Sequence, residues 1–226
     1  GTAQDHKRVY ENDEGPNTGG MGAYSPAPIV SKELEKKIIS KIIEPTLRAL
    51  INKKNPYSGF LYVGLMIKNN EPYLIEYNIR MGDPECQVIL PRLKTDLVKI
   101  FKNVIANKLR LTQIDWKKQK SMAVVLCSKG YPGNYKKNLL ISKVNKIKLL
   151  KSDFIYHAGT KLIRNQVRSN GGRVLNIVST GKNFLKIRNK IISIIKKLNW
   201  KNGFYRKDIG WRVINKNENY WRKFKK

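Results

Sequence analysis

The stretch YLIEYNIRMGDPE, residues 73–85, constrains the fold most, because charged and amide side chains interrupt an otherwise apolar run. A charge buried without a partner is costly, so a strand with this pattern needs either an ion-pair partner or a ligand. Successive side chains of a strand point to opposite faces. This alternation predicts that Glu76, Asn78 and Arg80 share one face of a strand.

The opposite face of this strand carries Ile75, Tyr77 and Ile79, which we expect to pack against the protein interior. A carboxylate and an amide at neighbouring positions offer the hard oxygens that Mg²⁺ accepts when phosphate oxygens complete its octahedron. Arg80 can bind an anion with two parallel hydrogen bonds and stabilise charge that develops in phosphoryl transfer. An exposed Arg–Glu pair, with the asparagine as a bystander, accounts for the alternation equally well.

A glycine-rich loop, GPNTGGMGAY at residues 15–24, is the second unusual stretch. It is not a Walker loop, since no Gly-Lys-Ser/Thr follows, and it lacks the preceding strand of a dinucleotide-binding fingerprint. Its free N–H groups could hold a phosphate or a carboxylate, but such loops are often simple turns. The upstream sequence QDHKR, residues 4–8, is either a solvated charged loop or a clamp that faces an anion.

Charge is distributed unevenly along the 226 residues, whose net charge is +30. Residues 1–90 contain 11 basic and 11 acidic residues, whereas residues 91–226 contain 35 basic and 5 acidic residues. A basic half can be the electrostatic footprint of a nucleic-acid-binding module, which is the alternative function for this chain. Here the lysines are scattered rather than interleaved with aromatic residues, so a nucleic-acid partner is not expected.

The composition is that of a soluble globular protein, with 41% hydrophobic and 27% charged residues. The longest apolar runs, such as FLYVGLMI at residues 60–67, are too short to cross a bilayer, so no membrane partner is expected. Cys86 and Cys127 are too few for a disulfide framework and lack metal-type spacing. Free thiols of this kind predict a cytoplasmic protein.

Local patterns predict an α+β fold that opens with turns, a helix and a β-hairpin. The helix is predicted over residues 31–51, with Ser31 as its N-cap and a kink or division at Pro45. The hairpin is indicated by two apolar runs that flank residues 69–72, Asn-Asn-Glu-Pro.

A further helix is predicted over residues 95–109, with Thr95 as its N-cap. Its inward residues are expected to be Leu97, Ile100, Val104 and Ile105. After a charged, unpatterned stretch at residues 115–120, which indicates a domain boundary, the pattern resumes. Strands are predicted at residues 121–127, 155–163 and 173–179, followed by a helix with Phe184, Ile187, Ile191, Ile194 and Leu198 on one face.

Taken in order, these stretches resemble the phosphoribosylamine–glycine ligase (glycinamide ribonucleotide synthetase) family of ATP-grasp enzymes. The resemblance covers essentially the whole chain and is carried by QDHKR, PNTGGMGAYSP, GFLYVGLMI, IEYNIRMGDPE, HAGTK, NGGRVL and FYRKDIGWR. PNTGGMGAYSP and GDPE are specific to this family among ATP-grasp proteins, whereas Glu-x-Asn-x-Arg is shared more widely. PNTGGMGAYSP therefore argues against another carboxylate–amine or carboxylate–phosphate ligase of the ATP-grasp class.

The resemblance implies a role for each candidate site residue. Glu76 and Asn78 correspond to the ligands of Mg²⁺ or Mn²⁺, and Arg80 to an arginine that faces the reacting acyl phosphate. Lys7 corresponds to a basic residue near the phosphates of ATP. The residues that correspond to the surface for glycine or phosphoribosylamine are Asn17, Thr18, Gly19, Gly20, Asp83 and Glu85.

The resemblance also implies the domains and the reaction. Residues 1–117 would form the later half of an ATP-grasp catalytic domain, an antiparallel sheet with helices, and residues 118–226 a small basic C-terminal domain. ATP would phosphorylate glycine to glycyl phosphate, and the amine of 5-phosphoribosylamine would attack it, giving glycinamide ribonucleotide, ADP and phosphate in purine biosynthesis. An N-terminal part of the same enzyme is expected to be missing here, so residues 1–226 alone are expected to be inactive.

Overall fold

The computed structural model describes residues 1–214, which form two compact units that alternate along the chain. The first unit combines residues 1–26 and 83–92 with the described chain from Lys117 on. The second unit combines residues 27–82 and 93–116. The domain boundary predicted between residues 117 and 118 divides the chain into two consecutive segments, whereas these units interleave along the sequence. That boundary stays a prediction.

The elements confirm the predicted α+β fold, and every strand pairing among residues 1–214 is antiparallel. In chain order the strands are β1 (Gln4–Asp5), β2 (Arg8–Tyr10), β3 (Glu14–Asn17), β4 (Gly22–Ser25), β5 (Tyr62–Lys68), β6 (Glu71–Asn78), β7 (Lys120–Ser128), β8 (Asp153–His157), β9 (Thr160–Ile163), β10 (Gln166–Ser169), β11 (Arg173–Gly181) and β12 (Gly203–Phe204). The helices are α1 (Lys32–Ile38), α2 (Glu44–Asn52), α3 (Glu85–Ile89), α4 (Leu97–Ile105), α5 (Phe184–Leu198) and α6 (Trp211–Ile214).

The first unit is built on a sheet of order β1-β4-β7-β11-β8, with β12 paired to β7. Helix α5 packs on this sheet through the five residues predicted to share its inward face, and all five are buried. Ala23, Ala123 and Val178 lie opposite one another on three adjacent strands and pack with Val88 of α3. Alternate strand residues thus enter two separate clusters, which fix the positions of β4 and α3 on the sheet.

The predicted strand at residues 155–163 is in fact two strands, β8 and β9, with a break at Ala158 and Gly159. Gly159 N–H donates to the carbonyl of Arg173 at 2.9 Å. A Cβ on Gly159 would lie 2.5 Å from that same oxygen, so this close approach requires glycine. The strands predicted at residues 121–127 and 173–179 are confirmed as β7 and β11.

The second unit contains the predicted hairpin, β5 and β6, joined by Asn69 and Asn70 with φ of 51° and 60°. Positive φ at both central residues is typical of a two-residue hairpin turn. Ser31 caps α1 by accepting a hydrogen bond from Leu34 N–H, as predicted. The predicted division of this helix is also confirmed, since a π-helical turn (Ile39–Ile43) separates α1 from α2, which has Pro45 in its first turn.

The N-cap predicted for helix α4 was wrong by one residue. Asp96 accepts the hydrogen bond from Lys99 N–H at 2.8 Å, whereas Thr95 Oγ1 accepts one from Asp115 N–H at 2.7 Å. Of the residues predicted to face inward, Ile100 is buried but Ile105 is 82% exposed. No helix within residues 1–214 combines the length and the apolar character needed to traverse a lipid bilayer.

Candidate functional site

Glu76 lies on β6 directly opposite Gly64 of β5. A Cβ on Gly64 would lie only 2.9 Å from Glu76 Cγ, so the glutamate side chain lies across the position where a larger residue would stand. Asn78 lies opposite Tyr62, two residues further along the same strand. Glu76 and Asn78 therefore share a face of the hairpin, as the alternation predicts.

The prediction that Ile75 and Ile79 pack was wrong, since they are 61% and 78% exposed. The register shifts between Gly64 and Leu65, which leaves Ile75 as the extra residue of a β-bulge, and β6 ends before Ile79. Such a bulge breaks the regular alternation of a strand. Only Tyr77 behaves as predicted: it is half-buried and its hydroxyl is hydrogen-bonded to Thr46 Oγ1 at 2.5 Å.

Arg80 lies in a bend beyond the end of β6, so strand alternation does not fix its direction. Its Nη1 donates to the carbonyl of Met81 at 3.0 Å. The ion pairs within residues 1–214 do not include one between Arg80 and Glu76. The explanation of this pattern as a surface Arg–Glu pair therefore loses its support.

Glu76 and Asn78 suit a metal ion that takes its other ligands from elsewhere. They provide one carboxylate and one amide oxygen on a single strand face, and the absence of a side chain at Gly64 makes room for the Glu76 side chain. These hard oxygens are the type that Mg²⁺ binds. Within residues 1–214 there is no cluster of three or more His, Cys, Asp or Glu residues that could hold a metal alone.

In the first unit, the glycine-rich loop is attached to the QDHKR segment. The carbonyl of Lys7 accepts hydrogen bonds from Thr18 N–H at 2.7 Å and from Thr18 Oγ1 at 2.8 Å. Lys7 Nζ forms an ion pair of 2.9 Å with Asp5 Oδ2. Asn17 ends β3 opposite Arg8 and is exposed. Two stretches that sequence reasoning treated separately thus form one structure.

Gly20 lies where the glycine-rich loop passes the GDPE turn. Its φ is +119°, and a Cβ there would lie 2.5 Å from Pro84 Cδ and 2.8 Å from Asp5 Oδ1. Neither this backbone conformation nor this space accommodates a side chain. Gly20 N–H donates to Thr18 Oγ1 at 3.0 Å, which stabilises the turn of the loop.

Burial in this corner perturbs the ionisation of Asp5. Loss of solvent and, to a smaller extent, the nearby carboxylate of Glu85 raise the pKa of its carboxyl from 3.8 to about 6, against the opposing effect of Lys7. Glu85 is itself only 4% exposed, at the start of α3. The GDPE turn and the QDHKR segment therefore place two acidic groups close together beneath the glycine-rich loop.

His6, next to Asp5, is fully buried and acts structurally. Its Nε2 accepts a hydrogen bond from Gly210 N–H at 3.2 Å. Burial, followed by the positive charges of Arg212 and Arg206, holds the pKa of His6 well below 6.5. A neutral imidazole with an accepting Nε2 ties the first strand to the segment before α6.

Sequence reasoning assigned no role to Arg173 or Tyr131, yet both contact the predicted site. Arg173 Nη1 donates to the carbonyls of Gly19 and Asp83, and Tyr131 Oη accepts a hydrogen bond from Gly19 N–H. The signal available was the pair of glycines that precedes Arg173 in NGGRVL, which is typical of close approach by another group. The structure thus joins Gly19 to Asp83 in the first unit, whereas Glu76, Asn78 and Arg80 belong to the second.

Comparisons with known proteins identify the class first. The model of the phosphoribosylglycinamide synthetase ATP-grasp (A) domain matches residues 1–86, and that of the C domain of the same synthetase matches residues 121–212. The chain also resembles the crystal structure of phosphoribosylamine–glycine ligase from Thermotoga maritima, with a TM-score of 0.75 and 32% identity over 91% of this chain and 50% of that one. The chain thus belongs to the ATP-grasp class of proteins.

Curated relatives make the assignment more specific. The phosphoribosylamine–glycine ligase of Agrobacterium fabrum is 45% identical over 94% of this chain and 50% of its own length. The chloroplastic ligase of Arabidopsis thaliana is 43% identical over 94% of this chain and 41% of its own. This chain belongs to the phosphoribosylglycinamide synthetase family, and it spans about half the length of the curated relatives it matches. The comparisons give no support to a nucleic-acid-binding module.

Proposed function

We propose that this chain is the later part of a phosphoribosylamine–glycine ligase. The complete enzyme would join glycine to 5-phosphoribosylamine at the expense of ATP, by way of glycyl phosphate. A preceding part of the same enzyme would supply the remaining ATP-grasp elements, because the matched relatives are about twice as long as the region they share with this chain. In domain terms, residues 1–117 would complete the catalytic domain and residues 118–226 would form the C domain.

The observation that carries this proposal is the junction of two family-specific motifs. PNTGG and GDPE are more than 60 residues apart in sequence, yet a single guanidinium, that of Arg173, is hydrogen-bonded to the carbonyls of Gly19 and Asp83. The exposed side chain of Asn17, the adjoining residues Thr18, Gly19 and Gly20, and the carboxylates of Asp83 and Glu85 would form the surface for glycine or phosphoribosylamine. A loop and a turn held together in this way can recognise a small zwitterion or a sugar phosphate through both donors and acceptors.

The end of β6 would provide the metal–nucleotide site. Glu76 and Asn78 would hold Mg²⁺ or Mn²⁺ through their side-chain oxygens. The metal, when bound, neutralises the negative charge of ATP oxygens during phosphoryl transfer. Arg80 is exposed and its hydrogen bond goes to the adjacent carbonyl of Met81, so its remaining N–H groups can bind the anionic acyl phosphate.

Lys7 would face the nucleotide phosphates, where its positive charge lowers the cost of bringing two anions together. Its ammonium group is ion-paired to Asp5. Its side chain is 48% exposed, so the ammonium group is accessible to a phosphate from solvent. We also propose a cytoplasmic location, because Cys86 and Cys127 are free thiols. The chloroplastic location belongs to the plant relative's name alone.

The test is an assay of ADP formation by the native polypeptide that carries this chain. Phosphoribosylamine is generated in the assay from ribose 5-phosphate and ammonia, because it is short-lived in water. We expect ADP formation to require glycine and to rise with phosphoribosylamine, and β-alanine to replace glycine poorly. ADP formation that is the same without glycine would refute the proposal.

A further inference from the structure

The backbone of Gly19 is held on both sides of its Cα by side chains far away in sequence. Its N–H donates to Tyr131 Oη at 3.0 Å, and its carbonyl accepts from Arg173 Nη1 at 2.7 Å. Gly19 is exposed, so burial does not restrain the orientation of its backbone. These hydrogen bonds hold the two successive peptide groups that flank the Gly19 Cα, one through its N–H and the other through its carbonyl, and so restrict rotation of the exposed loop at this residue.

The same guanidinium also holds the GDPE turn. Arg173 Nη1 donates to the carbonyl of Asp83 at 2.6 Å, and Nη2 forms an ion pair of 3.2 Å with Asp83 Oδ2. The other carboxylate oxygen of Asp83 accepts from Gln87 Nε2 at 2.8 Å. A planar guanidinium has N–H groups at fixed angles, so it can satisfy two carbonyls and a carboxylate at once, which a lysine ammonium does less well.

Glycines provide the space for both contacts. A Cβ on Gly19 would lie 2.8 Å from Arg173 Cζ, and a Cβ on Gly172 would lie 2.1 Å from the Tyr131 ring. The backbone therefore approaches both side chains more closely than any other residue would allow. Arg173 is 23% exposed, which partly shields its hydrogen bonds and its ion pair with Asp83 from water.

We propose that Arg173, supported by Tyr131, is a positioning residue that orients the glycine-rich loop against Asp83 for substrate binding. Both residues lie within the stretch that matches the C domain, whereas Gly19 and Asp83 lie within the stretch that matches the ATP-grasp domain. The C domain would thus set the geometry of a surface that belongs to the catalytic domain. This inference rests on the proposed function for the identity of the substrates, but not for the contacts.

The direct test measures amide hydrogen exchange in the 226-residue chain. In Arg173→Gln we expect the amides of Gly19 and Gly20 to exchange at least tenfold faster, while amides of β7 stay unchanged. Arg168→Gln is the matched control, because Arg168 also donates to a carbonyl, that of Asn138, but does not contact the loop. We expect less than a twofold change there. Equal exchange at Gly19 and Gly20 in the two variants would overturn the proposal.

A conservative variant and steady-state kinetics distinguish a positioning role of Arg173 from a general effect on the stability of the fold. Arg173→Lys keeps the charge but bridges the two carbonyls less well than the planar guanidinium, so the exchange rates of Gly19 and Gly20 in this variant should be intermediate. In the native polypeptide, Arg173→Gln should raise KM for glycine or phosphoribosylamine at least tenfold and change KM for ATP less than twofold. A uniform loss of kcat together with a lower Tm would indicate a merely structural role and refute the proposal. If the wild type has no ligase activity, the proposed function fails, and the exchange measurement still decides the role of Arg173.

Discussion

Arg206 donates a hydrogen bond from Nη1 to Asp13 Oδ1 at 3.0 Å, across 193 positions of the chain. The same guanidinium binds Asp208 through Nε and Nη2 at 2.8 and 2.7 Å, and it donates to the carbonyl of Arg8 at 2.9 Å. Its side chain is 1% exposed. The segment before α6 is therefore held against the β2–β3 hairpin by a buried guanidinium that is hydrogen-bonded to two carboxylates and a carbonyl.

Replacement of Arg206 by methionine should lower the free energy of unfolding by about 3–5 kcal/mol, because two carboxylates and a carbonyl each lose a buried, charge-assisted hydrogen bond. Arg48→Met is the control, since Arg48 pairs with Glu44 on an exposed helix surface and such pairs contribute about 0.5 kcal/mol or less. Urea denaturation followed by circular dichroism measures both. Equal losses in the two variants would mean that the Arg206 network adds no stability beyond a surface pair.

Gly20→Ala should destabilise the chain by about 2 kcal/mol or more, because φ is positive and the new methyl group meets Pro84 and Asp5. Gly133→Ala is the comparison, since its Cβ would meet only the carbonyl of Gly130, at 3.2 Å. The change in urea midpoint for each variant gives the answer. If Gly20→Ala is no worse than Gly133→Ala, the close packing of the glycine-rich loop on the GDPE turn is not rigid.

Asp5 predicts a specific dependence of stability on pH. The raised pKa means that the folded state keeps the Asp5 proton up to about pH 6, whereas the unfolded chain releases it near pH 3.8. Its contribution to stability is therefore fully present below pH 3.8 and is lost as the pH rises to about 6. The Asp5→Asn variant has no carboxyl to ionise at this position. Its free energy of unfolding, relative to that of the wild type, should therefore rise by roughly 2–3 kcal/mol over that interval.

The measurement for Asp5 is a series of urea unfolding curves between pH 4 and pH 7. Each pair of curves gives the difference in the free energy of unfolding between Asp5→Asn and wild type at one pH. A difference that does not change between pH 4 and pH 7 would show that the Asp5 carboxyl is not perturbed by burial and Glu85.

Residues 1–226 alone should not form glycinamide ribonucleotide, because the matched relatives are about twice as long. The isolated chain also exposes apolar side chains in its second unit, including Ile75, Ile79 and Ile105. An assay of phosphate release by this chain, with ATP, glycine and phosphoribosylamine, provides the measurement. Turnover at the level of the complete ligases would disprove the need for a further part of the enzyme.

The local elements could be predicted from the sequence because their causes are local. The Asn69-Asn70 turn, the Ser31 cap and the inward face of α5 each depend on residues within a few positions of one another. The cap of α4 could not be decided, because Thr95 and Asp96 are both good caps and only the contact of Thr95 with Asp115 distinguishes them.

Only the separate motifs of the candidate site could be predicted from the sequence, because the contacts between them join distant segments. The glycine-rich loop and GDPE were both recognised, but their connection through Arg173 spans 154 and 90 positions. Periodicity carries no information at such a separation. The burial of Arg206 could not be predicted either, because arginine is seldom buried unless it is paired, and its partner Asp13 lies 193 positions away.

The most direct test of the account is the affinity for Mn²⁺ in the presence of ATP, followed by electron paramagnetic resonance in the native polypeptide. Glu76→Gln should weaken this affinity at least about tenfold, because it replaces a proposed carboxylate ligand, and loss of even an outer-shell partner weakens metal binding about 10–100-fold. Glu71→Gln, on the same strand but paired with Lys37 and Lys41, should leave the affinity unchanged. Equal affinities in the two variants would contradict the assignment of the metal–nucleotide site to the end of β6.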